Sequence, residues 1–232
     1  MNKDEQQARE ELVSAYCQLV DMRLMDQASG NVSCRVEGGM LISCSGATGK
    51  NLSPQRVVKV YDDTSYEGEI KPSSEWRMHL GIYQRNQTAN AVVHTHSDYC
   101  VALACNNLKL PGFHYMVGLF GGSDVPCVPY STFGTESLAS DAANALDKRA
   151  ACLLGNHGMI CRGGNFDIAI GHAERMEILC KHYVLARQLG EPDLLTDDQW
   201  DEFFGRAKKV AYSTFIKLPL ALINEQPFFR PA

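Results

Sequence analysis

Apolar residues at Ala8, Leu12, Ala15, Leu19 and Met22 recur at helical spacing, which predicts an amphipathic helix from about Asp4 to Met22. Two short stretches follow, SGNVSCRV and GGMLISCSG, and these read as strands joined by a turn at Glu37-Gly38-Gly39. VVKVY, near residue 59, reads as a further strand. Lys71-Pro72-Ser73-Ser74-Glu75 has the signature of a helix start, with serines able to cap and an acid in the first turn, and the helix runs on through WRMHLGIYQR. Ala91-Val92-Val93 is β-rich and leads directly into His94-Thr95-His96. Tyr99 to Cys105 reads as a buried helix, and the glycine- and proline-rich stretch from Pro111 to Thr135 contains the strand-like VPCVPY. A helix is expected from Glu136 to Asp147, then strand, turn and strand in ACLLGNHGMICRG, then a long helix from Phe166 to Leu189. The last 30 or so residues hold a helix and an apolar tail, LPLALINEQPFFRPA.

The interleaving of helices and strands points to an α/β chain. No repeat, linker or low-complexity segment divides its 232 residues, so one domain over 1–232 is expected, with a tail from about 212 to 232. Lys and Arg number 22 against 27 Asp and Glu, a net charge of -5, which offers no footprint for nucleic acid or an anionic membrane. The nine cysteines form no CxxC pair and many lie in apolar runs, as in YCVALAC and ACLL, so they read as free thiols of a reducing cytoplasm. The charged start MNKDEQQAREELV lacks the apolar run of a signal peptide, and no stretch approaches the ~20 apolar residues that span a bilayer.

The chemistry concentrates in a few places. His94 and His96, two apart at the end of a strand, point to the same face and are placed to share one cation. His157, in the turn Gly155-Asn156-His157-Gly158, is a third imidazole, and three neutral nitrogens leave coordination positions open, as catalytic sites do. His79, His114, His172 and His182 read as packing or solvated residues. Ser45-Gly46-Ala47-Thr48-Gly49 offers hydroxyls and backbone N–H groups to an oxyanion, Ser73 and Ser74 open a helix N-terminus, and Asn31 adds an amide. Together these suit a phosphate monoester held by neutral donors. Glu75 has two readings: a helix-dipole residue worth under about 1 kcal/mol, or a carboxylate that moves a proton beside a metal-held ketone.

GNVS (30–33), SGATG (45–49), KPSSE (71–75), HTH (94–96), HYM (114–116), PYSTFGT (129–135) and GNHG (155–158), in this order, resemble the class II aldolase/adducin family, from the first helix to about residue 190. The resemblance implies a three-layer α/β/α subunit with a largely antiparallel sheet, and a C4 homotetramer with active sites between subunits. It implies one divalent metal per subunit, Zn²⁺ with Mn²⁺ or Co²⁺ as alternatives, on His94, His96 and His157. It assigns the substrate phosphate to Asn31, Ser45, Gly46, Ser73 and Ser74, and the acid/base role to Glu75. Tyr115, from an adjacent subunit, would protonate the aldehyde oxygen, Phe133 would line the aldehyde pocket, and Tyr212 would help close it. The implied reaction is metal-dependent retro-aldol cleavage of a ketose 1-phosphate to dihydroxyacetone phosphate and an aldehyde. Fuculose, 5-deoxyribulose and 5-methylthioribulose 1-phosphates are the substrates to separate. Dehydration of methylthioribulose 1-phosphate, 4-epimerisation of a ribulose phosphate and a non-catalytic adducin-like scaffold are the rival outcomes on the same frame.

Overall fold

The computed structural model describes residues 3–209 of the chain. Helix α1 (Lys3–Asp21) buries Leu12, Ala15, Tyr16 and Leu19, the face its apolar spacing marks out. Strands β1 (Asn31–Val36) and β2 (Gly39–Ser43) pair antiparallel with Val36 opposite Gly39, so Glu37 and Gly38 alone make the turn and Gly39 already belongs to β2. Then come β3 (Val57–Tyr61), α2 (Trp76–Arg85), β4 (Ala91–Thr95), α3 (Asp98–Cys105) and β5 (Cys127–Val128). The chain continues through α4 (Glu136–Ala145), β6 (Ala151–Leu154), β7 (Gly158–Gly163), α5 (Phe166–Leu189) and α6 (Asp197–Lys209).

The strands form one seven-stranded sheet in the order β3-β2-β1-β4-β7-β6-β5, antiparallel throughout except for the β5–β6 pair. Alternation along β4 explains the layering. Ala91 and Val93 join a core with Leu12 and Leu19 of α1, Leu103 of α3 and Met176 of α5. Val92 points the other way, into a second core with Met78 and Ile82 of α2, Ala142 of α4 and Ile160 of β7. Helices therefore cover both faces of a largely antiparallel sheet, the three-layer α/β/α arrangement expected. Each large aliphatic side chain fully buried in these layers contributes about 1.5–3 kcal/mol.

Several local expectations change. α4 stops at Ala145, two residues before Asp147, and of VPCVPY only Cys127 and Val128 are strand. α2 begins at Trp76, so Glu75 is its N-cap residue and not a first-turn acid. At that position its carboxylate makes no capping hydrogen bond, and is left to face elsewhere. α6 buries Trp200, Phe204 and Ala207 at helical spacing. Tyr212 and the tail beyond it lie outside the described residues. Among the described residues, no helix is long and apolar enough to cross a membrane.

Candidate active site

β1, β4 and β7 lie side by side at the middle of the sheet, with Asn31 opposite His94 and His94 opposite Ile160. Residues directly opposite in an antiparallel pair share a face, so Asn31, Ser33, Val92 and His94 all look toward the layer of α2 and α4. His96, two positions after His94, keeps that direction just beyond β4. His157 reaches the same point from the turn between β6 and β7. In that turn the left-handed residue is Asn156, with φ 52°, a conformation asparagine tolerates. Gly158 is required for closeness: a Cβ there would meet the Thr95 carbonyl oxygen at 2.5 Å and the His96 ring at 2.9 Å.

Gly30 is constrained twice over, by a φ of +99° and by the His94 carbonyl oxygen, which a Cβ would approach to 2.6 Å. Gly30→Ala is expected to destabilise the fold by about 2–4 kcal/mol, since left-handed strain and a backbone clash add. Urea unfolding measures this directly, and a loss under about 0.5 kcal/mol, the range of an ordinary surface change, would contradict it.

The three imidazoles form a pinwheel, with every pair of ring centroids 4.8 Å apart and interplanar angles of 72–76°. His94 Nδ1–H donates to the Met159 carbonyl at 2.8 Å, which aims Nε2 at the centre. There His94 Nε2 lies 2.9 Å from His96 Nε2 and 3.1 Å from Glu75 Oε2, and His157 Nε2 lies 3.2 Å from Glu75 Oε1. All four donor atoms sit within 4.8 Å of one another. Donor atoms bound to one tetrahedral Zn²⁺ at about 2.0–2.1 Å stand about 3.3 Å apart, so the spacing fits a single small cation.

The electrostatics agree. Burial by itself would raise the Glu75 carboxyl, but the His94 and His157 imidazoles beside it hold it well below the usual carboxylate range. Burial works against charge on His94 too, and the Glu75 carboxylate and the Met159 carbonyl outweigh it, so its pKa is raised. Burial, then the neighbouring His94 and His157, push His96 down to about 4. Glu75 Oε1 is buried and accepts no well-formed hydrogen bond, with His157 Nε2 its near neighbour. An ionised carboxylate with an unsatisfied oxygen and three imidazoles converging through Nε2 suit a divalent cation.

The cluster forms part of the wall of a cleft of about 390 Å³, within the size range of small-molecule sites. Asn31, Ser45, Gly46, Ser73, Ser74, Glu75, His96, His157 and Phe133 all line it. Asn31 Nδ2 donates to Glu75 Oε2 at 2.9 Å. The backbone N–H groups of Ser45 and Ala47 are engaged by the Lys71 and Cys44 carbonyls, so Ser45 offers the cleft its hydroxyl. Phe133 and Tyr130 stand at the mouth, 65% and 59% exposed. Tyr115 does not line the cleft: its ring stacks on His114 and leans on Phe203, and it is 41% exposed. His114 caps the 3-10 turn Tyr115–Phe120 by accepting from the Met116 N–H.

Residues outside the expected set also join the site. Tyr130 and Asn156 also line the cleft, although only the motifs around them had drawn notice. His79, read as a packing or solvated residue, is fully buried and bonded to Asn31. Its signal was its place one helical turn after Glu75, at i+4 on the same side of α2.

Residues 10–184 match the family described as Class II Aldolase and Adducin N-terminal domain. A 5-methylthioribulose-1-phosphate/5-deoxyribulose-1-phosphate aldolase of Rhodospirillum rubrum is 37% identical over 211 residues, 91% of this chain and 95% of that protein. An L-fuculose phosphate aldolase of Escherichia coli is 35% identical over 190 residues, 82% of this chain and 88% of that protein. Among solved structures, an L-fuculose 1-phosphate aldolase superposes with a TM-score of 0.83 at 34% identity, covering 91% of this chain and 98% of the other.

Proposed function

The chain belongs to the class II aldolase and adducin family, and on that premise we propose that it is a sugar-phosphate aldolase, cleaving a ketose 1-phosphate to dihydroxyacetone phosphate and an aldehyde. The observation that carries the reading is the convergence of His94, His96, His157 and Glu75 beside a cleft with a wall of neutral hydroxyl and amide donors. His94, His96 and His157 would hold a divalent cation, Zn²⁺ in the first place with Mn²⁺ or Co²⁺ as alternatives; when bound, it supplies Lewis acidity where negative charge builds on the ketone. Asn31, Ser45, Gly46, Ser73 and Ser74 would orient the phosphate, fixing the ketose carbon chain against Glu75. No lysine lines the cleft among the described residues, in keeping with a route that needs no Schiff base.

In condensation, the ionised Glu75 takes a proton from C3 of dihydroxyacetone phosphate, and Tyr115 gives one to the aldehyde oxygen as the C3–C4 bond forms. Solvent returns the proton from Glu75 to the tyrosinate. Cleavage runs these steps backwards, so that Glu75 delivers its proton to C3 after the bond breaks. Tyr115 would come from a neighbouring copy in a C4 tetramer, a reading supported by its exposure and by its absence from the cleft of its own chain. Phe133 would face the aldehyde end. Tyr212, outside the described residues, would help to close the site. One domain over 1–232 is the proposed organisation, and nine free cysteines favour a reducing compartment such as the cytoplasm.

The test is release of dihydroxyacetone phosphate from fuculose, 5-deoxyribulose and 5-methylthioribulose 1-phosphates, with and without a chelator. Release that a chelator abolishes and added Zn²⁺ restores is expected, and relative kcat/KM ranks the aldehydes. A dehydrated or epimerised product in its place would keep the site and overturn the reaction. No product from any of the three would favour the scaffold role.

A further inference from the structure

From Asn31 on the wall of the cleft, polar side chains run inward in line through an otherwise apolar layer. Asn31, 4% exposed, joins Glu75 through Nδ2 and His79 through Oδ1. His79 Nδ1 meets Ser33 Oγ at 2.7 Å, and Ser33 Oγ meets the Tyr83 hydroxyl at 2.8 Å. His79 and Ser33 are fully buried, Tyr83 is 2% exposed, and Met78, Ile82, Val92 and Ile160 belong to the same layer. The spacing follows from the elements: Asn31 and Ser33 are two apart on β1, and the N-cap residue Glu75 is followed at four-residue steps by His79 and Tyr83 within α2.

The donors and acceptors in this line have one consistent direction. An ionised carboxylate only accepts, so Asn31 presents N–H to Glu75 and its carbonyl oxygen to His79. His79 must then donate from Nε2. Burial, with His94 adding to it, lowers the His79 pKa to about 3, so the ring is neutral and Nδ1 accepts from Ser33. Ser33 in turn accepts from the Tyr83 hydroxyl. With the other His79 tautomer the amide of Asn31 would turn over and set its carbonyl oxygen against the Glu75 carboxylate. A chain of polar groups in an apolar layer is costly unless every member is satisfied. Here each is, and the chain ends on one carboxylate oxygen.

We propose that His79 is a positioning residue for Glu75: held in its Nε2–H tautomer by Ser33 and Tyr83, it locks the Asn31 amide so that the N–H faces Glu75 Oε2 and keeps the carboxylate turned to His94 and His157. The inference rests on the acid/base role given to Glu75 above. It separates His79 from a core histidine that only fills space, because its effect passes through the orientation of one amide.

The test compares metal-loaded His79→Leu, His79→Gln, Ser33→Ala and Tyr83→Phe with the parent protein, measuring bound metal, melting temperature, kcat, KM and deuterium exchange into dihydroxyacetone phosphate. Outer-shell partners of such sites are typically worth about 10–100-fold, so His79→Leu should lose about that much in kcat and in exchange, with bound metal little changed and any rise in KM, through Asn31 at the phosphate, smaller than the fall in kcat. His79→Gln places an N–H near the lost one and should recover most of the rate. Ser33→Ala and Tyr83→Phe, which keep the histidine but free its tautomer, should each lose several-fold in kcat, on the order of one buried hydrogen bond. Parent-like kcat in His79→Leu, or equal losses in the leucine and glutamine variants, would overturn the proposal. If the leucine variant does not fold, parent-like kcat in both Ser33→Ala and Tyr83→Phe overturns it, and reduced kcat at full metal content supports it. If the parent protein cleaves no ketose 1-phosphate, the reaction assignment fails by itself. Nitrogen NMR of the His79 ring then decides the positioning claim: a proton on Nε2 that moves to Nδ1 or exchanges between the two in Tyr83→Phe supports it, and a proton on Nδ1 in the parent refutes it.

Discussion

Glu75→Gln should leave one divalent ion bound per subunit while kcat falls by about 10²–10⁴-fold, the range over which a positioned acid/base acts. The isosteric amide keeps the volume of a side chain that is only 7% exposed, and it retains an oxygen toward His94 or His157, so the fold and the three imidazoles stay in place. What it lacks is basicity. Glu75 is held ionised against the pull of burial by two imidazoles, and ionisation is the state in which it removes a proton from C3. Deuterium exchange into dihydroxyacetone phosphate isolates that step from bond cleavage. Exchange should therefore fall with kcat. A variant that exchanged at the parent rate would return Glu75 to the role of a helix-terminal residue.

The second large effect is expected at His157. His157→Ala removes an imidazole carried on a turn, its side chain 12% exposed, so the loss to the core is small. It removes one of three imidazole ligands and leaves only His94 and His96, since Glu75 is assigned to proton transfer, so bound metal should drop well below one per subunit after dialysis. Stabilisation of charge at the ketone oxygen is worth several kcal/mol, so turnover should fall by about a thousandfold or more. Adding Zn²⁺ in excess should restore little. Full metal content in His157→Ala by elemental analysis would remove it from the ligand set, whatever happened to the rate.

How much of this was readable beforehand differs from residue to residue. The strand-borne pair His94 and His96 was legible because a period of two is local, and the α1 and α5 helices were legible because apolar spacing is local. Glu75 was legible as a residue of interest, but the structure changed the reason: it stands at the N-cap without capping, and faces the histidines. The strand in VPCVPY was legible but its shortness was not, nor was the early end of α4, because both depend on which neighbours are available for pairing and packing. His79 was passed over because a lone histidine on a helix carries no mark of which strand residues it packs against. Its partners, Asn31 and Ser33, sit more than 40 residues away in sequence.

The sequence by itself determined the kinds of groups present and the local elements that carry them: a histidine pair on a strand end, a third histidine in a tight turn, an acid at a helix start, and hydroxyl-rich loops. It also carried the family, through seven motifs in a fixed order. Only the tertiary structure decided that these groups meet. His94 and Glu75 are brought together because β1 pairs with β4 while α2 packs over both, and His157 joins them because β4 pairs with β7. Such pairings are set by the burial of whole faces, Val92 with Ile160 and Met78 on one side and Val93 with Met176 on the other. Side-chain period is a property of a few consecutive residues, whereas the distance between Nε2 of His94 and Oε2 of Glu75 is the sum of every packing choice between them.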